Sequence, residues 1–215
     1  MKKIILDDGF QEYLVENTNL VGEPGIPEII DFHNTEVPVD IVPFEKINKE
    51  TNKRKYVHFY MHDKGFRQIL TNTKLYVTKL KMFDGVITPD PTIKTYRSKC
   101  IQETNTYLNR AVGVYLQKQG IPVIPNIRWG DEKSFSFCFL GVPKNSILSI
   151  STHGCIRSNE EKDYFRKGLK AMLFILEPID VLVHGYMPDE VFGDFLTLTR
   201  FHRYKSQFEK THLKK

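Results

Sequence analysis

The sequence predicts an α/β fold with a mainly parallel sheet and helical crossovers. Short runs rich in valine and isoleucine recur along the chain, each bounded by glycine or proline and each too short for an ordinary helix. Amphipathic stretches with three- and four-residue spacing separate these runs. Four runs carry most of this prediction, at residues 85–90, 121–131, 147–154 and 179–185. Alternation of strand and helix with such spacing implies right-handed connections between parallel strands.

The length of the chain narrows the architecture. A complete eight-stranded barrel takes about 250 residues, whereas this chain has 215. A partial or irregular TIM-like barrel therefore fits, and an open doubly wound sheet is the alternative. We expect one domain made of an irregular N-terminal wrap at 1–50, an α/β core at 51–190 and a basic helical C-terminal tail at 191–215.

In the first half of the chain, Pro38 and Pro43 flank a short predicted strand at residues 39–42. Residues 56–61 form the first well-marked strand, because aromatic and β-branched residues cluster there. The spacing of apolar residues then predicts a helix over 65–80, which leads to a strand at 86–88.

The second half contains the two clearest helices. Ile101, Leu108, Val112 and Tyr115 recur at helical spacing, and Gly120 follows in the position that glycine takes after a helix end. A second helix begins at a capping box, in which a serine at 158 is followed by a glutamate at 161. Residues 135–139 fit a short helix or a strand equally well.

Composition excludes several classes of protein. The 31 lysine and arginine residues exceed the 26 aspartate and glutamate residues by five, a margin that allows an anionic partner and is common in ordinary proteins. The three cysteines form no C-x-x-C pair, which argues against a disulfide framework and a zinc ribbon. Because no apolar stretch or leader pattern stands out, we expect a cytoplasmic protein with no membrane partner.

Acidic and histidine residues follow the predicted strands, where α/β folds place their ligands. We identify Asp63, Asp90, Asp131 and His184 as candidate catalytic residues. Carboxylates and imidazoles on rigid elements serve as acid, base or ligands of a divalent metal. No metal-binding motif enforces such a site, so the metal and any other cofactor stay open. The competing interpretation makes the three aspartates helix caps and turn residues.

A second set of residues suits a phosphate-containing ligand. Two hydroxyls and a glycine precede a helix N-terminus, which favours an anion, although the spacing is not that of a Walker loop. Two aromatic residues could stack on a base, or in the case of the tryptophan could pack as an ordinary aromatic plug. The candidate ligand-binding residues are Thr92, Tyr96, Trp129, Ser151, Thr152, Gly154 and Gly185.

The C-terminal segment is rich in basic residues. Arg200, Arg203 and Lys205 are candidate nucleic-acid contacts, and a solvated helical tail is the alternative interpretation.

Over about residues 20–185 the chain resembles an uncharacterised family of bacterial and phage proteins that carries only a domain-of-unknown-function label. The family usually has Phe-Ser after a Pro-Asp pair, whereas Pro91 and Thr92 stand there in this chain. The resemblance implies a role in phage or mobile-element replication, in transfer, or in conflict with the host, without an assigned activity. The motifs that carry it are Val57-His58-Phe59 with Asp63, residues 86–90, Asn109-Arg110 with Gly113, residues 120–125 with Trp129, residues 141–146, and residues 151–155.

Three functional hypotheses follow from these observations. The first is a strand-end pocket for a nucleotide or nucleic acid, with cleavage of a phosphodiester as a further step. The second is a non-catalytic sink for a host nucleotide signal, or an inhibitor of a host defence protein. The third is a DNA- or RNA-binding accessory factor that uses the basic C-terminal segment. The sequence leaves the oligomeric state open.

Overall fold

The computed structural model describes residues 11–30 and 36–212. Parts of the predicted N-terminal wrap (1–10 and 31–35) and of the predicted tail (213–215) lie outside the described residues. The strands are β1 Leu20–Val21, β2 Ile26–Pro27, β3 Ile41–Pro43, β4 Tyr56–His58, β5 Gly85–Ile87, β6 Val123–Ile124, β7 Ile147–Ser151, β8 Asp180–His184 and β9 Arg200–Tyr204. The α-helices are α1 Asp63–Thr71, α2 Val77–Leu80, α3 Lys99–Lys118, α4 Phe135–Cys138, α5 Asn159–Leu176, α6 Asp189–Phe192 and α7 Gln207–His212.

The sheet confirms the prediction of a mainly parallel α/β fold. Strands β3 to β6 pair in that order, strands β7 to β9 pair in that order, and every pairing is parallel. A parallel bridge between Asn126 and Ser149 joins the two sets. The strand order thus follows the chain order, without the reversal that defines a doubly wound sheet. The two-stranded β1–β2 hairpin is antiparallel and separate.

The strands are strongly curved. Seven strands laid flat would span roughly 29 Å, because neighbours are about 4.8 Å apart. Side chains from the first and last strands nevertheless share one apolar cluster, and the Tyr204 hydroxyl of β9 donates a hydrogen bond to the Pro38 carbonyl just before β3. The cluster consists of Ile41, Tyr56, Tyr60, Ile87, Ile124, Ile147 and Leu182, with Val37 and Tyr204 packed against it. No β3–β9 pairing is recorded among the described residues.

The opposite face of the strands packs against the two long helices. Alternate residues of β7 and β8, such as Leu148 and Val181, contact Leu169 and Met172 of α5 in one core cluster. Val57 and Val86 belong with residues of α3 to a second cluster. Burial on both faces explains why these strands are continuous apolar runs in the sequence. The capping box of α5 is formed by Ser158 and Glu161 as the sequence indicates.

The C-terminal segment requires a correction. Residues 200–204 were predicted as helical, but they form strand β9, which pairs with β8 over its whole length. Tertiary pairing overrides the weak local signal here, because Phe201 packs on Phe192 of α6 while Arg200 and Arg203 face solvent. The sheet also extends beyond the predicted core of 51–190, since β3 begins at Ile41.

Two smaller elements differ from the sequence prediction or refine it. The helix predicted over 65–80 is divided at Asn72 into α1, a 3-10 turn and α2, and Leu75 is exposed. Residues 135–138 form the short helix α4. Within the described ranges, no helix is both long and apolar enough to cross a membrane.

Candidate functional site at the carboxyl ends of the strands

The centre of the strand-end rim is an ion pair between Asp90 and Arg128. Asp90 follows β5, and its Oδ2 lies 3.1 Å from the Arg128 Nη1, while its Oδ1 accepts a 2.8 Å hydrogen bond from the Asn126 Nδ2. Parallel strands bring these residues together because β5 and β6 end at the same edge. Asp90 is 8% exposed and Asn126 is fully buried.

Burial and charge act against each other at this pair. Burial raises the pKa of Asp90, whereas Arg128 and the Asn126 hydrogen bond oppose that rise and the Asp63 carboxylate adds to it. Burial by itself would lower the pKa of Arg128, but Asp90 and the other acidic groups nearby, including Asp63, together outweigh burial, so the pKa is raised and the guanidinium stays charged.

Asp63, at the start of α1, is held by Thr92. The Thr92 hydroxyl donates a 2.7 Å hydrogen bond to Asp63 Oδ1, and its backbone N–H lies 3.4 Å from Oδ2. The helix cap of α1 is His62, so Asp63 is not the capping residue that the alternative interpretation proposed. The hydroxyl that Thr92 supplies in place of the family's serine therefore links two candidate residues across 29 positions of sequence.

His184 is buried inside the strands. Its ring stacks on Tyr60 with 4.6 Å between centroids and lies 5.0 Å from the His58 ring, and its Nδ1 is 3.2 Å from the Ser151 hydroxyl. Burial lowers the pKa of His184 to about 3, with His153 contributing to the shift. Burial also lowers the pKa of His58 well below its usual value. Both imidazoles are neutral at pH 7, which suits a structural stack.

The turn after β7 is occupied by its own hydrogen bonds. The Thr152 hydroxyl donates to the Tyr186 carbonyl at 2.7 Å, and the Ser151 hydroxyl accepts from the His153 N–H at 3.2 Å. Gly154 adopts a left-handed conformation with φ of 74°. Gly185 has φ of 111°, and a Cβ there would lie 2.6 Å from the Thr152 hydroxyl. Glycine is therefore required where the β8 end meets this turn.

The N-terminus of α5 is likewise capped within the chain. The Glu161 carboxylate accepts hydrogen bonds from the backbone N–H groups of Arg157 at 2.7 Å and Ser158 at 3.3 Å. A phosphate at this helix end would compete with that carboxylate. The amide groups that the sequence suggested as a phosphate cradle are therefore already partly used.

A cavity of about 210 Å³ opens at the rim beside Arg128. It lies between the loop after β5, the end of β6 and the start of α5. The lining residues that bear on its chemistry are Lys94, Arg128, Trp129, Gly154, Cys155, Glu160 and Glu161, so two of the predicted ligand-binding residues, Trp129 and Gly154, meet at this cavity. A cavity of about 920 Å³ lies at the opposite ends of β8 and β9, where Phe174, Pro178 and Leu198 line it, away from these polar groups.

The candidate aromatic residues occupy different environments. Trp129 is 8% exposed and packs on Phe165, with 5.0 Å between ring centroids, and on Gly168 of α5. This environment is that of a packed aromatic residue with one edge at the cavity. Tyr96 is 81% exposed, two residues beyond Lys94. Asp131 begins a 3-10 turn, and neither Tyr96 nor Asp131 lines the cavity.

The basic residues near the C-terminus are largely paired with acids. Arg200 and His202 both contact Asp180, at 2.7 and 2.6 Å. Arg203 contacts Glu209 and donates to the Gly185 carbonyl. Lys205 is exposed. Among the residues that the structure describes, no group of three or more His, Cys, Asp or Glu side chains is placed to hold a metal ion.

Sequence reasoning missed the polar network that supports this rim. Tyr60 donates to Asn126 at 3.1 Å and contacts the Ser149 hydroxyl, and Asn109 donates to the Asn126 carbonyl at 3.1 Å. Arg110, next to Asn109 on α3, donates to the same carbonyl at 3.0 Å. The signals were indirect, since Asn109 and Arg110 belong to the motifs that carry the family resemblance but have no role assigned there, and they are polar residues beside apolar positions of the helix.

Comparison with known proteins gives a family and two phage relatives. A model described as "Domain of unknown function (DUF4417)" matches residues 19–205. The chain is 31% identical over 131 residues, 61% of its length and 57% of the relative's, to a protein described as "Gene 1 protein" of Mycobacterium phage L5. It is 29% identical over 129 residues, 60% of its length and 48% of the relative's, to the "Gene 1 protein" of Mycobacterium phage D29.

The matched region thus spans about half of each relative's own length. No solved structure gives a significant match. Because the family model spans residues 19–205, the chain belongs to the DUF4417 family of domains of unknown function.

Proposed function

We propose that the rim cavity binds the phosphate group of a nucleotide or a nucleic-acid strand, with Arg128 as the main anion-binding side chain. The observation that carries this proposal is that most N–H donors of the Arg128 guanidinium are not used by Asp90. Arg128 lines the cavity, and its single recorded hydrogen bond runs from Nη1 to Asp90. A guanidinium has five N–H donors, so four remain for a ligand. Asp90 fixes the fork that phosphate recognition requires.

Lys94 supplies a second positive charge at the same cavity. Two glutamates also line it, but each has an intrachain partner: Glu161 accepts backbone N–H groups, and Glu160 accepts the Tyr164 hydroxyl at 3.2 Å. Their negative charges oppose an anion, so the phosphate belongs at the Arg128 and Lys94 side of the cavity. Of the turn that the sequence favoured, Gly154 lines this cavity, whereas the Ser151 and Thr152 hydroxyls are engaged in their own hydrogen bonds.

The size of the cavity limits the ligand. About 210 Å³ is below the 300 to 1,000 Å³ of ordinary small-molecule sites. It holds a phosphate and part of a sugar, so the base of a nucleotide lies at the surface. Tyr96 is exposed and follows Thr95, which lines the cavity, so it is the aromatic residue available to stack on a base, whereas Trp129 is packed in the core.

The hydrogen bonds of the Asp90 and Asp63 carboxylates favour ligand binding without cleavage. Both oxygens of Asp90 and both oxygens of Asp63 have partners within the chain. Carboxylates engaged in this way position other groups rather than take a proton from water. We therefore favour a phage protein that holds a nucleotide ligand, including a host signal nucleotide, over a phosphodiesterase. We also infer that the curved sheet belongs to an incomplete TIM-like barrel, whose strand-end rim is the usual ligand site.

The test is a binding series with wild-type protein and two single variants. Thermal shift and calorimetry with inorganic phosphate, mononucleotides, dinucleotides and single-stranded DNA and RNA identify the ligand, because a ligand at a hundred times its Kd stabilises by about 2.7 kcal/mol. We expect Lys94→Gln to weaken binding about fivefold and Arg128→Lys at least tenfold, since lysine lacks the fork. Lys133→Gln is the matched control, because Lys133 is exposed nearby but does not line the cavity.

Several outcomes decide between the hypotheses. Recovery of intact ligand supports binding alone, whereas cleaved ligand in the presence of Mg²⁺ or Mn²⁺ supports phosphodiesterase activity. If Lys205→Gln weakens nucleic-acid binding and Lys94→Gln does not, the basic C-terminal segment is the contact and the pocket proposal fails. Absence of binding to every ligand tested also rejects the pocket proposal and leaves a host protein as the partner to seek.

A further inference from the structure

We infer that a single chloride-like anion binds in a buried site between Arg110 and Arg128, behind the rim cavity. The site lies between α3 and the loop that follows β5. It is separate from the phosphate pocket, and the inference does not depend on that proposal. The arguments concern the partners of Arg110, the size of the cavity beside it and the balance of donors around it.

Arg110 is a cation in the protein interior with no carboxylate partner. It is 1% exposed, and all of its recorded acceptors are neutral oxygens. Nε donates to the Leu140 carbonyl, Nη1 to the Asn109 side chain and the Asn126 carbonyl, and Nη2 to the Cys138 carbonyl. These bonds use four of its five N–H groups. The fifth, on Nη2, has no partner among the described residues.

A cavity lies directly beside this guanidinium. Its volume is about 10 Å³, close to the space that one water-sized particle needs. A phosphate is too large for it, so the occupant is a single small particle, either a water or a monatomic ion. The lining residues are Pro91, Ile93, Asn105, Thr106, Asn109, Arg110, Arg128 and Cys138.

Unused donors outnumber unused acceptors around the cavity, where the Asn105 Oδ1 and the Thr106 hydroxyl are the side-chain oxygens that can still accept. Besides the fifth N–H of Arg110, Arg128 has N–H groups that Asp90 does not use, which are shared between this cavity and the rim cavity, and the Asn105 Nδ2 uses one of its two hydrogens on the Thr92 carbonyl at 2.8 Å. The Asn109 Oδ1 is already shared by Thr88 and Arg110. A water would have to donate two hydrogens as well as accept, but an anion only accepts. The surroundings therefore suit an anion better.

Charge balance favours the same occupant. Two guanidiniums line the cavity, and the one buried carboxylate nearby, Asp90, is paired with Arg128. Asp63 is half-buried and accepts from Thr92. A buried cation without a counter-charge is costly, and a chloride between the two arginines removes that cost. Burial lowers the pKa of Arg110 to about 10, which leaves it protonated at neutral pH.

Bromide diffraction tests this inference directly. Crystals of wild-type protein grown or soaked in sodium bromide should show an anomalous peak in contact with Arg110 at the bromine absorption edge. Density without an anomalous signal means that water fills the cavity and overturns the inference. A peak confined to the rim cavity or the surface means an adventitious ion only and also overturns it.

A solution measurement gives an independent answer. At constant ionic strength, replacement of gluconate by chloride should raise the urea midpoint of the wild-type protein, with a slope equivalent to uptake of about one ion. Arg110→Lys should lose most of this response, and Arg97→Lys, at an exposed arginine outside the cavity, should keep it. If Arg110→Lys does not fold, the wild-type response and the bromide peak still decide. A response equal in chloride and gluconate contradicts the inference.

Discussion

Arg128 and Asp90 form an ion pair in which the Nη1 and Oδ2 atoms are 3.1 Å apart and the side chains are only 17% and 10% exposed. The pair joins the ends of two neighbouring strands, and Asn126 binds the other carboxylate oxygen. When an ion pair is shielded from water, removal of either charge leaves the other buried without a counter-charge, which destabilises the fold. The rim is therefore rigid where we propose that a ligand binds.

Removal of the Asp90 charge should be strongly destabilising. Asp90→Asn leaves Arg128 without its counter-charge, and we expect the free energy of unfolding to fall by about 3 kcal/mol, the lower end for a buried pair. Urea unfolding measures this change. Glu177→Gln is the control, because both side chains of its pair with Lys144 are largely exposed and such a pair contributes about 1 kcal/mol or less. Equal losses in the two variants would contradict the assignment of a shielded pair.

The Tyr60 hydroxyl should contribute to the stability of the fold through its contacts with Asn126 and Ser149. Tyr60→Phe leaves the Asn126 Oδ1 and the Ser149 hydroxyl without this contact. Buried polar groups left unsatisfied cost about 1 to 3 kcal/mol, so we expect a loss in that range in urea unfolding. Tyr164→Phe serves as the comparison, since its hydroxyl binds Glu160 at the surface. If Tyr60→Phe leaves the free energy of unfolding unchanged, Asn126 and Ser149 find other hydrogen-bond partners.

The close approach of α5 to Trp129 can be tested with one methyl group. A Cβ at Gly168 would lie 2.1 Å from the Trp129 Nε1, so Gly168→Ala must displace the indole. We expect a loss of about 1 to 3 kcal/mol from overpacking. The emission maximum should also shift, which is readable because the chain has one tryptophan.

Gly193→Ala is the matched control, because a Cβ there meets nothing within 4 Å. It should be neutral or slightly stabilising, by about 0.4 to 1 kcal/mol. Unchanged emission and stability in Gly168→Ala would mean that the helix does not approach the indole so closely.

Acid should destabilise the protein through its buried histidines. In the folded state the pKa values of His58 and His184 are lowered, to about 3 for His184. In the unfolded chain the usual value is 6.5. Below pH 6.5 the unfolded state binds more protons, so stability falls as pH falls towards the folded pKa. The slope that each histidine contributes is about half of 1.4 kcal/mol per pH unit at pH 6.5 and approaches about 1.4 well below it.

Urea unfolding between pH 6.5 and 5 measures this slope, and Asp90, whose pKa is raised, acts in the opposite direction in wild type and variant alike. His184→Gln should reduce the mean slope over this window by about 1 kcal/mol per pH unit. His62→Gln, at the exposed cap of α1, should not. An unaltered slope in His184→Gln would mean that this imidazole is protonated while folded.

Local patterns were sufficient for the main elements. The run at 147–154 and the run at 179–185 contain β7 and β8, and Ser158 with Glu161 caps α5 as the sequence indicates. Strand β9 was missed because Arg200, His202 and Arg203 interrupt its apolar residues, and β3 was only partly recognised because it has three residues between prolines and a charged loop. Both strands exist because the neighbouring strand supplies their hydrogen bonds.

The sequence by itself determined a parallel α/β fold, because hydrophobic periodicity and the positions of glycine and proline indicate which residues are buried and where elements stop. It also indicated the strand ends as the place where we expect a site. Only the tertiary structure decided which side chains meet there. Asp90 meets Asn126 across 36 positions, and Tyr60 meets Asn126 across 66. No local pattern specifies such pairs, since they depend on strand order and sheet curvature. For the same reason, Arg128 emerged as the central residue, while Trp129 and His184 proved to be packed in the core.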